Sequence, residues 1–202
     1  MPGLHMLQWL DEDALRLVAG LRWGPLTALM TLLSAWWVKG VVIAAVGGIA
    51  DLRRRPRAVP VSAVLATLAL LAASLSADLL KEVVGRARPP LADPGLTALV
   101  GLPGDGSMPS GHAATAAAAA TVVALLHPRL RSPLAALVAA IGLSRVYLGV
   151  HYPSDVLVGL ALGVAVGWAV VALARRAVRA RREDGARMEG RLEIRLPRAA
   201  EE

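Results

Sequence analysis

The chain has 202 residues, of which 56% are hydrophobic, and its formal net charge is +7 at pH 7. This is more apolar than an ordinary soluble domain, so the composition predicts a small polytopic membrane protein. There are four histidines and no cysteine. Thiolate metal sites are therefore excluded and a histidine-rich metal cluster is disfavoured, so we expect no metal and no other cofactor.

The order of apolar segments predicts an N-terminal segment, a membrane bundle and a charged tail. Residues 1–32 are interrupted by Arg16, Arg22 and Gly24-Pro25, which favours helices lying in the membrane interface over a sixth span. Five apolar segments follow, close to the roughly 20 residues that a bilayer requires: 33–50, 58–80, 110–127, 133–150 and 155–174. We predict an all-α membrane helix bundle over residues 33–177, with about five spans and six as the alternative. A charged cytoplasmic tail is predicted over residues 178–202.

The distribution of arginines predicts the orientation of the bundle. They cluster within residues 53–57, 129–131 and 175–182, which a five-span topology places on one side of the membrane. The positive-inside rule makes that side cytoplasmic, so the opposite ends face outward from a bacterial-type inner membrane. The same distribution argues against nucleic acid as a partner, because the cations follow the spans.

Three glycines in the fifth span predict close helix contact. Gly159, Gly163 and Gly167 recur every four residues, a spacing that lets two helix backbones approach each other in lipid. Packing within one bundle is the favoured interpretation, and a homodimer through this face is the alternative.

The first polar cluster lies at the outer end of the second span. Lys81 and Arg88 are seven residues apart, so they share a helix face if the helix continues to Pro89. Two cations on one face could bind an anion. The alternative is a pair of interfacial charges whose side chains reach toward the headgroups.

The second and third clusters contribute histidines. Pro109-Ser110-Gly111-His112 opens the third span, where a helix N-terminus presents unpaired N–H groups to an anion. Ser144-Arg145 closes the fourth span, and His151 and Asp155 begin the fifth. Asp155 lies four positions after His151, so the carboxylate can reach one imidazole nitrogen and fix the tautomer.

The topology is expected to bring all three clusters to one membrane face. Alternate spans run in opposite directions, so the ends that carry the clusters all lie outside. Cations, two histidines and a carboxylate together suit a phosphate ester, because one imidazole can attack while another protonates the leaving group. Residues alone leave the two roles unassigned.

These clusters resemble the signature of the type 2 phosphatidic acid phosphatase superfamily, whose membrane branch consists of lipid phosphatases. The signature K-x6-R-P spans Lys81 to Pro89, P-S-G-H spans Pro109 to His112, and S-R-x5-H-x3-D spans Ser144 to Asp155. All three parts are present without a substitution.

The resemblance implies a role for each motif residue. His151 would attack phosphorus and form a phosphohistidine, Asp155 would orient it, and His112 would protonate the leaving oxygen and then activate water. The phosphoryl oxygens would be bound by Lys81, Arg88, Ser110, the Gly111 backbone and Arg145, without a metal. Arg86 lies outside the signature, and we expect Arg86→Ala to retain most of the activity.

The implied substrates are lipid phosphates or diphosphates within the membrane: undecaprenyl diphosphate, phosphatidylglycerol phosphate or phosphatidic acid. Membrane lipids would then be the partners of the bundle. Two alternatives stay open at this point. A phosphotransferase would use the same residues with an acceptor other than water, and a non-enzymatic lipid-binding or transport bundle would use only the cations.

Overall fold

All regular structure in the described part of the chain is helical. The computed structural model describes residues 2–35, 38–56 and 59–193. The elements in chain order are α1 (Pro2–Ala19), α2 (Gly24–Leu33), a π-helical turn (Val38–Val42), α3 (Ile43–Arg54), α4 (Val61–Val84), α5 (Pro89–Ala92), α6 (Gly111–Leu126), a 3₁₀ turn (Pro128–Leu130), α7 (Arg131–Tyr147) and α8 (Pro153–Glu193). The predicted all-α class is confirmed.

Helix length supports fewer membrane spans than the five predicted. Within the described ranges, α4 and α8 are long and apolar enough to cross a bilayer. α2 and the segment Val38–Arg54 form a third candidate, bent by 59°. α6 has 16 residues and α7 has 17, somewhat short of the roughly 20 that a span requires. Each predicted span overlaps helical structure within the described residues, although residues 36–37 of the first span lie outside them. The count of five stays a prediction.

The N-terminal segment is attached to the bundle. Asp11 and Leu15 of α1 are buried, whereas Trp9 is exposed. After α1, the Arg22 guanidinium donates hydrogen bonds to the carbonyl oxygens of Tyr147 (3.1 Å) and Thr97 (3.0 Å). These contacts fix α1 and α2 at the end of the bundle where α7 ends. The interfacial position of this segment stays a prediction.

The buried face of α4 is a stripe of small residues that leads to a lysine. The buried residues of this helix are Ser62, Ala66, Ala69, Ala73, Ala77 and Lys81. Because they are spaced three or four residues apart, they lie on one side of the helix. The opposite side exposes Leu68, Leu71, Leu75 and Leu79. The same periodicity that packs α4 against the bundle therefore directs Lys81 inward.

α8 packs along α6 through its row of glycines. A β-carbon built on Gly163 would lie 2.2 Å from the Ala114 carbonyl oxygen, and one on Gly159 would lie 2.5 Å from the Ser110 carbonyl oxygen. Gly167 approaches α6 in the same way. Only glycine permits backbones to come this close. Because these glycines lie against α6 of the same chain, they serve packing within one bundle, and the homodimer stays a prediction.

α8 extends into the segment predicted as the charged tail, and the domain boundaries stay a prediction. The helix continues past residue 178 and ends at Glu193. Residues 194–202 of the predicted tail lie outside the described residues. The charged segment thus begins as a direct extension of the last bundle helix.

A polar cluster joins three helices at the end of the bundle opposite Lys81. Asp51 of α3 accepts hydrogen bonds from the Ser62 backbone N–H (2.6 Å) and the Ser62 hydroxyl (3.0 Å) at the start of α4. Nε2 of His127, directly after α6, lies 2.9 Å from Asp51 Oδ1. Asp51 Oδ1 thus contacts the Ser62 hydroxyl and His127 Nε2, and Oδ2 accepts from the Ser62 backbone N–H. Because both carboxylate oxygens have partners, we assign this cluster a structural role.

A groove of about 650 Å³ lies between the Val38–Arg54 segment and α4. On the Val38–Arg54 segment, the residues that line the groove run from Lys39 to Leu52. On α4, they include Ala63 and Leu70. The lining is almost entirely apolar apart from Lys39. The groove is therefore suited to hydrocarbon along its length and to an anion at the Lys39 end.

Candidate active site

Helix ends and short connections carry the predicted site residues. Lys81 lies in the last turn of α4, and Arg145 lies in the last turn of α7. Ser110 directly precedes α6, His151 lies between α7 and α8, and Asp155 lies in the first turn of α8. Because these ends meet on one side of the bundle, all three sequence clusters come together there.

Arg88 reaches Lys81 through a turn and not along one helix. The two residues were expected to share a helix face only if the helix continued to Pro89, but α4 ends at Val84. Gly85 follows with φ of +60°, a left-handed conformation that favours glycine and ends the helix. The chain then turns, and Arg88 enters the bundle from an extended segment with only 1% of its surface exposed. The two cations are neighbours through this turn, although they do not share a helix face.

A loop carboxylate joins the two cations. Lys81 Nζ lies 2.5 Å from Asp105 Oδ2, and Arg88 Nη2 donates to Asp105 Oδ1 at 2.7 Å. Partial burial acts to raise the pKa of Asp105, but its hydrogen bonds to Lys81 and Arg88 outweigh this effect and lower the pKa to about 2. Asp105 is therefore ionised at neutral pH. The sequence motif gave no reason to select it.

A backbone carbonyl is the nearest partner of the predicted nucleophile. His151 Nδ1 lies 2.7 Å from the Ser107 carbonyl oxygen, which can only accept a hydrogen bond. The proton of the neutral ring is thus on Nδ1, and Nε2 keeps a lone pair. Nε2 lies 3.3 Å from Arg88 Nη1. Burial lowers the pKa of His151, an effect that the nearby Asp155 carboxylate opposes and the Arg88 charge reinforces. These features keep the imidazole neutral near pH 7.

Asp155 acts on His151 less directly than predicted. Its Oδ2 atom lies 3.6 Å from His151 Nδ1 and accepts a 2.9 Å hydrogen bond from the Tyr152 backbone N–H. Its Oδ1 atom accepts a 2.8 Å hydrogen bond from Arg86. The fully buried carboxylate therefore organises the turn that carries His151, while Ser107 provides the shorter contact to the ring.

Arg86 is part of the network around Asp155, which the sequence analysis missed. Besides Asp155, its guanidinium contacts Asp11 Oδ2 of α1 at 2.8 Å and the Ser154 hydroxyl at 2.7 Å. Asp11 Oδ1 in turn accepts a 2.9 Å hydrogen bond from the Ser154 backbone N–H. An ion-pair network thus connects the N-terminal helix to the first turn of α8. The paired residues are 75 positions apart for Arg86 and Asp11, and 143 positions apart for Ser154 and Asp11. A local sequence pattern cannot predict contacts between residues so distant in the chain.

Ser110 occupies the N-cap position of α6 without capping it by its side chain. Its backbone N–H donates to the Asp155 carbonyl oxygen at 2.9 Å. Among the described residues, Ser110 Oγ and Arg145 Nε are the buried side-chain atoms that have no hydrogen-bond partner. A β-carbon built on the adjacent Gly111 would lie 3.6 Å from Lys81 Nζ. Polar groups in a buried position normally find partners, so these two atoms mark a place where a polar ligand fits.

His112 and Arg145 complete the cluster next to the end of α2. The Arg145 guanidinium contacts the Ser34 hydroxyl, and the His112 ring lies against the Ser34 backbone. His112 is within electrostatic range of Arg145, His151 and Lys39. The two histidines therefore lie in one site, and Lys39 adds a cation that the motif does not include.

A family comparison agrees with this arrangement. A sequence profile described as the PAP2 superfamily matches residues 62–179, which is more than half of the chain and includes all three clusters. The chain belongs to the PAP2 superfamily. Membership of the PAP2 superfamily confirms the resemblance drawn from the three motifs.

Two curated phosphatases are similar to this chain over part of its length. A lipid A 1-phosphatase of Rhizobium etli is 44% identical over 98 residues, covering 46% of this chain and 41% of that protein. The chain thus spans less than half the length of that relative. A decaprenylphosphoryl-5-phosphoribose phosphatase of Mycobacterium tuberculosis is 40% identical over 128 residues, covering 63% of this chain and 67% of that protein.

The fold of solved PAP2 proteins matches most of the chain. A transmembrane PAP2-type phosphatidylglycerolphosphate phosphatase from Bacillus subtilis aligns with a TM-score of 0.69 and 26% identity, over 85% of this chain and 87% of that one. Aquifex aeolicus LpxE aligns with a TM-score of 0.65 and 25% identity, over 81% of this chain and 95% of that one. The bundle is therefore similar to the PAP2 fold well beyond the motif region.

Proposed function

We propose that this PAP2 protein is an integral membrane phosphatase that hydrolyses a lipid phosphate or diphosphate through a phosphohistidine intermediate. The observation that carries the proposal is the position of His151 Nε2, an unprotonated nitrogen 3.3 Å from the buried Arg88 guanidinium. A nucleophile beside a fixed cation is the arrangement that attack on a phosphate group requires.

The anion would be bound by buried charge. Lys81, Arg88 and Arg145 are all at least 90% buried, and charges in such positions require anionic or polar partners. The unpartnered Ser110 hydroxyl and Arg145 Nε supply two further donors. Fixed cations can stabilise the charge that spreads over a transferring phosphoryl group, so the proposed mechanism has no metal.

In the first step, His151 Nε2 attacks phosphorus and the bond from phosphorus to the lipid oxygen breaks. The Ser107 carbonyl oxygen keeps the Nδ1 proton in place and stabilises the positive charge that develops on the ring. His112 donates a proton to the departing oxygen, so the lipid leaves as an alcohol or, from a diphosphate, as a monophosphate.

In the second step, His112 accepts a proton from water. The resulting hydroxide attacks phosphorus, the bond between nitrogen and phosphorus breaks, and inorganic phosphate is released. His151 then returns to its neutral form. The two histidines thus serve different roles at one site, as the family signature implies.

The named activities of the relatives support a lipid substrate. Lipid A 1-phosphatase, decaprenylphosphoryl-5-phosphoribose phosphatase and phosphatidylglycerolphosphate phosphatase all remove phosphate from a lipid-linked group. Undecaprenyl diphosphate, phosphatidylglycerol phosphate and phosphatidic acid fit the same chemistry here. We place the site on the extracytoplasmic face of a bacterial inner membrane, because the arginine-rich ends lie opposite.

The test is phosphate release by detergent-purified protein in excess EDTA, over a panel of lipid phosphates and diphosphates. His151→Ala and His112→Ala should each abolish turnover, whereas the parent protein should retain it in chelator. Arg16→Ala, an exposed surface change, is the control. A strict requirement for added divalent metal would overturn the mechanism. Loss of phosphate from the lipid that requires an added alcohol, and that yields the phosphorylated alcohol in place of inorganic phosphate, would identify the phosphotransferase alternative.

A further inference from the structure

Asp105 occupies the two cations that the proposed function assigns to phosphate. Its carboxylate oxygens lie 2.5 Å from Lys81 Nζ and 2.7 Å from Arg88 Nη2, one oxygen on each cation. The cations are 9% and 1% exposed, whereas the Asp105 side chain is 42% exposed on the loop that precedes α6. A carboxylate that spans two buried cations from an exposed loop resembles two oxygens of a phosphate group.

Arg88 does not need this carboxylate to keep its position. Its Nε donates to the Asp105 backbone carbonyl at 3.1 Å, Nη2 also contacts the Gly106 carbonyl at 3.3 Å, and Nη1 donates to the Val150 carbonyl at 2.9 Å. These three acceptors are backbone atoms. The guanidinium therefore stays in place when the Asp105 side chain turns outward toward solvent.

The carboxylate also lies beside the position of the reacting phosphorus. Arg88 Nη1 is 3.3 Å from His151 Nε2, and Nη2 of the same planar guanidinium holds Asp105. A phosphoryl group on Nε2 would extend its oxygens toward the same guanidinium. Two anions cannot share that edge without strong repulsion, so the phosphate and the Asp105 carboxylate exclude each other.

We propose that Asp105 is an internal competitor of the substrate, whose carboxylate holds Lys81 and Arg88 until a phosphate group displaces it. This inference rests on the proposed role of the two cations in phosphate binding. Only molecules whose cations are accessible can bind an anion. The competition therefore raises the apparent dissociation constant of every anion by the inverse of the fraction of such molecules. An anion must therefore bind the cations more tightly to occupy the site when Asp105 competes with it. Weakly bound phosphodiester headgroups of the surrounding bilayer are thereby kept out of the site.

The test is binding of inorganic phosphate to the full-length protein in detergent, measured by titration calorimetry. Asp105→Asn should lower the dissociation constant for phosphate about tenfold, if the carboxylate holds the cations in roughly nine of ten molecules. Asp105→Ser, a smaller neutral variant, should give the same shift. Asp78→Asn is the matched control, because Asp78 pairs with the same lysine at 3.3 Å but is 61% exposed and does not contact Arg88.

The outcomes separate this inference from the proposed function. The gain in Asp105→Asn should vanish when Arg88→Ala is added, which locates the binding. An unchanged or weaker affinity in both Asp105 variants overturns the inference, as does an equal gain in Asp78→Asn. Tighter phosphate binding in Asp105→Asn without any lipid hydrolysis by the parent would support the competitor while refuting the phosphatase.

Discussion

Arg86→Ala is expected to impair turnover strongly, although Arg86 lies outside the family signature. Its guanidinium pairs at 2.8 Å with both Asp155 and Asp11, and both carboxylates are almost completely buried. Removing one partner of a buried ion pair costs about 3–5 kcal/mol, because the remaining charge is left without compensation. Two carboxylates would be affected here, so we expect the free energy of unfolding to fall by at least that amount.

The catalytic effect should appear in kcat and not in KM. Arg86 contacts Asp155, which organises the turn bearing His151, and it has no contact with the three proposed phosphate-binding cations. Losing a partner that orients a functional histidine costs about 10- to 100-fold, by analogy with the partners of metal-binding histidines. The assay is the steady-state rate of lipid phosphate hydrolysis, together with thermal unfolding in the same detergent.

Two further variants make the result decisive. Arg16→Ala removes an arginine of the same ion-pair type, 3.0 Å from Asp93, but its side chain is 55% exposed, so we expect no measurable change. Arg86→Lys keeps the charge but loses the forked geometry of the guanidinium, so its turnover and stability should lie between those of the parent and Arg86→Ala. If Arg86→Ala retained more than half of the parental turnover, as the sequence alone suggested, the network would have no role in catalysis.

Two other predictions concern packing and orientation. Gly163→Ala should lower the free energy of unfolding by about 1–3 kcal/mol, because the new β-carbon would clash with the Ala114 carbonyl oxygen. The control is Gly24→Ala in α2, where a β-carbon would have nothing within 4 Å. Both variants are compared by thermal unfolding, and equal stability of the two would contradict the close α6–α8 packing. The chain lacks cysteine, so Gly101→Cys should react with a membrane-impermeant maleimide on intact cells while Arg129→Cys reacts only after permeabilisation, and the reverse pattern would invert the proposed orientation.

The helices were largely predictable because apolar length and small-residue spacing are local properties of the sequence. The motif spacing left the end of α4 open, although Gly85 carries the signal: a glycine followed by charged residues and two prolines marks a helix stop. The number of membrane spans is harder to predict, since α6 and α7 have 16 and 17 residues, fewer than the roughly 20 of a full span.

The candidate site was predictable only where side chains follow a fixed spacing. Lys81 and His151 belong to such motifs, and the structure brings them together. The Ser107 contribution is a backbone carbonyl, which any residue type could provide, so no side chain identifies it. Asp11 and Asp105 act on residues far away in the sequence, and only the folded chain shows which of its acidic side chains face the site.

The cluster of Asp51, Ser62 and His127 determines how the groove beside α4 can widen. It ties α3 to α4 through hydrogen bonds at the end distant from Lys39, whereas the groove is otherwise lined by apolar side chains. From Lys39 to Asp51 the segment extends about 18 Å at the rise of a helix. Helices joined at one end separate most at the other, so a bulky hydrocarbon chain would make them pivot about Asp51 and would enlarge the opening chiefly beside Lys39.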